Sequence, residues 1–188
     1  MEKTRIERDV LGEVELPEGT MYGINTARAL ENFPLGHKRT ALELIYAMVT
    51  VKKAAALTYA HLGVREDGIY QAIAAACDAI LAGQYDDAFV TEALQGGAGT
   101  STNMNVNEVI ANAALLKLGK RPGQYDVIHP LDDVNRGQST NDVYPTALRI
   151  AAIRKLRELS QACADLQEAF QHKEQAYEKM YKLGRTEL

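Results

Sequence analysis

Forty consecutive residues, Asp142 to Tyr181, contain no glycine and only one proline, Pro145. No other feature of the 188-residue chain restricts its fold as tightly. The proline falls in the expected first helical turn, where its missing N–H is tolerated. An uninterrupted helix of that length rises about 60 Å, too far for the interior of a small globule. Ala152, Leu156, Leu159, Cys163, Leu166, Phe170, Tyr177 and Met180 keep a three-and-four spacing, interrupted at Lys173. This pattern is the seam of a helix in a bundle. One helix cannot cover its own seam, so the chain is expected to self-associate through residues 152–180. Covering each seam side chain is worth about 1.5–3 kcal/mol. A mass above that of the monomer is therefore expected from light scattering at micromolar concentration.

The preceding residues read as shorter helices broken by glycine. Residues 1–40 carry Gly12, Pro17, Gly19, Gly23, Pro34 and Gly36, and read as irregular. Their apolar patches, Val10-Leu11 and Val14-Glu15-Leu16, suit a small hairpin or plain extended loop. From Ala41 an apolar face runs through Leu42, Ile45, Val49, Lys53, Ala56, Leu57 and Ala60, and Gly63 stops it. A second helix is expected from Gly68 to Ala82, and a third from Met104 to Leu118. The expected division is a mostly helical domain over residues 1–141, followed over 142–188 by a long bundle helix.

Composition narrows the function classes. With 46% apolar residues and 24% charged residues the chain is neither disordered nor collagenous. A net charge of −4 without a basic run argues against nucleic acid. No apolar run of about 18 residues occurs, so no membrane helix is expected. The charged start, Met1 to Arg5, shows no signal peptide, which points to the cytoplasm. Cys77 and Cys163 lie in apolar stretches without a CxxC or histidine partner, and read as buried free thiols. His129 with Asp132-Asp133 matches no metal-ligand spacing and reads as a turn; His37, His61 and His172 read as surface or packing residues. No metal and no cofactor is expected, since neither GxGxxG nor GxxxxGK[ST] occurs.

Two segments are too polar to be mere connectors. One runs from Gly96 through Thr100, Ser101, Thr102, Asn103, Asn105 and Asn107 to Glu108; the other from Asn135 through Gln138, Ser139, Thr140 and Asn141 to Thr146. Each sets hydroxyls and amides at the mouth of an expected helix. Unpaired N–H groups and the positive end of the dipole can hold an anion there without a cation. Two such sites suit a small dicarboxylate, or a transition state that develops oxyanion charge. The plainer reading is that these side chains are ordinary caps. Yet asparagine alternates on into the helix at 103, 105 and 107, at a cost in helix propensity that asks for a reason.

At these segments the sequence resembles the aspartase/fumarase superfamily. Residues 95–108, with Gln95-Gly96-Gly97-Ala98-Gly99-Thr100-Ser101, are similar to the family's first signature in its aspartase wording. Gln138-Ser139-Thr140-Asn141-Asp142 is similar to the second, again with the aspartase-like threonine. Tyr22 to Phe33, Val51 to Ala56 and Gly184-Arg185-Thr186 match further stretches. The resemblance implies a mainly α fold: the superfamily's N-terminal helical domain followed by the first long helix of its central bundle. It implies elimination of ammonia from L-aspartate to give fumarate, in a homotetramer whose sites draw on three chains. Carried over by position, Thr100 and Ser101 meet one end of the substrate. Ser139, Thr140 and Asn141 bind a carboxylate or the amine, and Thr186 arrives from a neighbouring subunit. Glu187 stands where many members carry histidine; a carboxylate there suits the amine and repels the substrate's carboxylates. The base-bearing loop Gly-Ser-Ser-x-x-Pro-x-Lys-x-Asn does not occur in residues 1–188. No catalytic base is assigned, and the 188 residues alone are expected to form no fumarate. A fumarase-like lyase, or a non-enzymatic helical oligomerisation module, are the alternatives.

Overall fold

The computed structural model describes residues 3–36, 38–65 and 68–186. His37 and Glu187 lie outside the described residues. The chain is mainly helical, opening with one hairpin. Strands β1 (Thr4–Asp9) and β2 (Gly12–Pro17) pair antiparallel, with Thr4 opposite Pro17 and Asp9 opposite Gly12. Val10 and Leu11 form the exposed turn instead of contributing to the strands. Among the described residues five α-helices follow: α1 (Ile24–Asn32), α2 (Leu42–His61), α3 (Ile69–Leu81), α4 (Thr100–Lys117) and α5 (Thr140–Tyr177).

Helix α1 lies in the stretch read as irregular. The groups that hold its start are remote in sequence: carboxylates of Glu7 and Glu108 accept the N–H groups of its first turn. Helices α2 and α3 each end two residues before the expected glycine stop, at His61 and Leu81. The alanines of α3, with Ala72, Ala74 and Ala76 buried, let it approach α2 and α4 closely.

Helix α4 is the centre of the first unit. It begins at Thr100, four residues before the expected start, and every residue from Thr102 to Leu115 is buried. A helix buried all round has no polar face to give away its phase. Several of its polar side chains are held by partners, while the Oδ1 atoms of Asn103, Asn105 and Asn107 have none among the described residues. Asn105 donates to the Ala88 carbonyl, while Asn112 donates to the Met21 carbonyl and accepts from the Gly123 N–H. Asn105 and Asn112 are thereby fastened to neighbouring loops.

Contacts divide the chain into a unit of residues 1–151 and a second of 152–188. Val143, Ala147 and Ala151 of α5 belong to the first and are buried. Pro145 sits in the second turn of α5 instead of the first, so the Asn141 carbonyl has no backbone donor one turn ahead. In the second unit the seam is bare: Leu156, Leu159, Leu166 and Phe170 are each more than half exposed. Cys163 is exposed with them, against expectation, because its burial requires a covered seam; Cys77 is buried as read. Among the described residues no helix is long and apolar enough to cross a membrane.

Candidate functional site

The loop before α4 turns through three left-handed residues, Gly97, Ala98 and Gly99. Gly99, at φ +88°, is the N-cap, and Tyr144 of α5 lies directly over it. A β-carbon at Gly99 would collide with the ring of Tyr144. Gly99→Ala combines left-handed strain with that collision, and is expected to destabilise the fold by about 2–3 kcal/mol. Thermal melts of the single variant and of Gly99→Ala/Tyr144→Ala check this; the second change should return part of the loss.

The first turn of α4 sends its four side chains to four environments. Thr100 is exposed and its hydroxyl donates to the Gly97 carbonyl at 2.7 Å. Ser101 lines a cavity of about 710 Å³ beside the hairpin, with Asn25, Arg28, Phe33, Met104 and His129. Thr102 turns inward, where its hydroxyl meets Thr40 at 3.1 Å and Gln95 at 2.7 Å. Gln95 in turn accepts the Thr102 N–H at 2.9 Å, capping the helix by a side chain seven residues away. Asn103 points to α5 and donates to Thr140 Oγ1 at 3.0 Å. So the starts of α4 and α5 meet, joined by Asn103–Thr140 and by Tyr144 over Gly99.

The start of α5 is set by its own loop. Ser139 is the cap, its Oγ accepting the Asn141 N–H at 3.2 Å. Behind it Asn135 donates to the Gln138 carbonyl at 2.8 Å, and Gln138 to the Val134 carbonyl at 2.9 Å. Ser139 and Asn141 are exposed and Thr140 is half-buried. His129 forms the turn expected of it, its Nδ1 accepting the N–H groups of Leu131 and Asp132.

One residue at this junction escaped the sequence reading. Lys52, not Lys53, occupies the buried face of α2 and is fully inaccessible. Its ammonium donates to Asn135 Oδ1 at 3.0 Å and Gln138 Oε1 at 3.3 Å, and burial pulls its pKa down to about 7. The signal was present: Ile45, Met48, Lys52 and Ala56 keep the helical spacing as well as the set containing Lys53 does. Lys53 instead pairs with Asp78 near the surface.

The structure thus brings together the helix starts that carry Thr100 on one side and Ser139, Thr140 and Asn141 on the other, and turns Ser101 toward the neighbouring cavity. Thr186 belongs to the second unit. The junction offers hydroxyls, an amide and two helix N-termini, all suited to an anion. Among the described residues no histidine or carboxylate hydrogen-bonds to these side chains, and no cluster of three or more His, Cys, Asp or Glu is placed to hold a metal.

A lyase family profile matches residues 12–188. The chain belongs to this lyase family. Its relatives include aspartate ammonia-lyases of Helicobacter pylori strain J99, 45% identical over 186 residues, and of Bacillus subtilis strain 168, 45% identical over 184. Each alignment covers 98% of this chain, and 40% and 39% of the respective relative. The chain thus spans about two-fifths of the length of these lyases. A crystal structure of a fumarate lyase:delta crystallin from Brucella melitensis superposes with a TM-score of 0.95 at 47% identity, covering 99% of this chain and 44% of that one. A class II fumarase from Schistosoma mansoni gives 0.73 at 38% identity over 79% of this chain and 32% of its own. The mainly α fold is that of the N-terminal part of these lyases.

Proposed function

We propose that the full-length protein is an aspartate ammonia-lyase, converting L-aspartate to fumarate and ammonia. The observation that carries this is the meeting of two helix N-termini at Asn103–Thr140, with the hydroxyls and amides of both helix starts around it. Removal of a proton beside a carboxylate drives negative charge onto that carboxylate. N–H groups and hydroxyls aimed there stabilise the enediolate-like intermediate more than the substrate, which is how rate is gained. Thr100, Ser139, Thr140 and Asn141 take the binding role, and Ser101 reaches the site only if its rotamer leaves the neighbouring cavity. Thr186 and Glu187 act from a neighbouring subunit in this reading. The proton is taken by a base that these residues do not supply. Support for ammonia-lyase over hydratase comes from 44–46% identity to aspartate ammonia-lyases, against 38% over a shorter stretch to the fumarase.

Residues 1–141 would form the first domain and residues 142–188 the first helix of a bundle, whose bare seam is covered by other copies in a homotetramer. The enzyme would act in the cytoplasm. Fumarate formation by the full-length gene product tests the reading. Aspartate should serve as substrate, and Ser139→Ala or Asn141→Ala should lower kcat/KM by about 100-fold. Fumarate from malate instead of aspartate would make it a fumarase-like lyase. A stable oligomer inert toward both would make it an oligomerisation module.

A further inference from the structure

A buried cation held only by neutral amides can act through the direction it imposes on them. An ammonium has three donors and no acceptor, so every group facing Lys52 Nζ must present an oxygen. Asn135 does so through Oδ1 at 3.0 Å, and its Nδ2 is fixed at the other end by the Gln138 carbonyl at 2.8 Å. Gln138 likewise turns Oε1 to Lys52 and Nε2 to the Val134 carbonyl. With the Asn135 oxygen committed, the atom of Asn103 lying 3.2 Å from it must be Nδ2, because two oxygens there would repel. The second hydrogen of Nδ2 goes to Thr140 Oγ1 at 3.0 Å. Thr140 therefore accepts from Asn103, and among the described residues its own proton goes to no other group.

The cost of this direction falls on Asn103 Oδ1. That oxygen is buried and has no hydrogen-bond partner among the described residues. Turning the amide over would satisfy it with the Thr140 proton, at the expense of setting oxygen against oxygen at Asn135. The titratable group facing Lys52 from α3 is the Cys77 thiol, which burial pushes up to about 12, so no anion there turns the ammonium away from the amides.

We propose that Lys52 is a positioning residue: it fixes the chain Lys52–Asn135–Asn103–Thr140 so that the Thr140 hydroxyl presents its proton to a carboxylate of the substrate. The identity of that carboxylate rests on the reading of the reaction given above; the direction of the chain does not.

Two measurements on the full-length protein decide it. The first is a joint X-ray and neutron structure at a pD near 6. Both Asn103 Nδ2 deuterons should lie on Asn135 Oδ1 and Thr140 Oγ1, with the Thr140 deuteron pointing away from Asn103. A Thr140 deuteron on Asn103 Oδ1 overturns the proposal, whatever the enzyme's substrate. The second is a double-mutant cycle in kcat/KM for aspartate. Lys52→Met and Thr140→Val should each lower kcat/KM about 10-fold, and the double variant should be no worse than the worse single. A double variant showing the product of the two effects, or Lys52→Met with unchanged kcat/KM, overturns it. If the wild type forms no fumarate from aspartate, the reading of the reaction fails, and the deuterium positions decide the role of Lys52 by themselves.

Discussion

Replacing Lys52 with methionine is expected to stabilise the fold below pH 7 and to flatten its pH dependence. The ammonium is inaccessible and its partners are neutral amides, so burial costs it solvation that no counter-charge returns. Its pKa falls from an ordinary 10.5 to about 7. Below pH 7 the folded and unfolded chains both hold the proton, and the whole penalty is present. Between pH 7 and 10.5 the unfolded chain binds more protons than the folded one, so wild-type stability rises with pH across that window. The shift corresponds to about 4–5 kcal/mol. Methionine, similar in volume, removes the penalty but takes a donor from Asn135 and Gln138, at about 1 kcal/mol each. The net gain at pH 6 is about 2–3 kcal/mol, or roughly 5–10 °C in Tm. Near pH 10 the two proteins should melt within a few degrees of each other. Melting curves at the two pH values check this, and a variant less stable than wild type at pH 6 would contradict it. A residue that weakens the fold while organising a binding site is the usual trade between stability and function.

The opposite outcome is expected at Glu108. Its buried carboxylate accepts the N–H groups of Gly23, Asn25 and Thr26, the Thr26 hydroxyl at 2.6 Å, and the Asn25 amide at 3.1 Å. Burial raises its pKa, and these hydrogen bonds pull the other way. It fills the positive end of α1 from more than eighty residues away, doing for that helix what no local cap does. Glu108→Ala strands several buried N–H donors and should cost about 4 kcal/mol, lowering Tm by roughly 10 °C. Glu108→Gln keeps one acceptor oxygen but sets an NH2 against backbone donors, and should cost about half as much. Thermal or urea unfolding checks both. A loss under about 1 kcal/mol for the alanine variant would mean that α1 is held by packing instead.

These two residues show where the sequence was legible. Helices α2 and α3 could be read because each is a long apolar-rich run followed by a glycine stop. The hydroxyls at the starts of α4 and α5 could be read because a polar cluster at a helix mouth is local information. Helix α1 was missed because its stabilising carboxylates come from β1 and α4. The start of α4 was placed late because Thr100 to Asn103 resemble a cap, whereas the cap is Gly99 with the side chain of Gln95. Lys52 was passed over because lysine is ordinarily solvated, and only the amides of a distant loop make its burial tolerable. The exposure of Cys163 and of the α5 seam follows from what covers them, which a single helix cannot supply.

The central claim is that the starts of α4 and α5 form one carboxylate site. The most direct measurement is a crystal structure of the full-length protein with succinate, an unreactive dicarboxylate, bound. One carboxylate should lie within hydrogen-bond reach of the Thr140 hydroxyl and of the Ser139 and Asn141 side chains, and the other near Thr100. Succinate seated only in the cavity beside the hairpin, among Asn25, Arg28 and His129, would contradict the account.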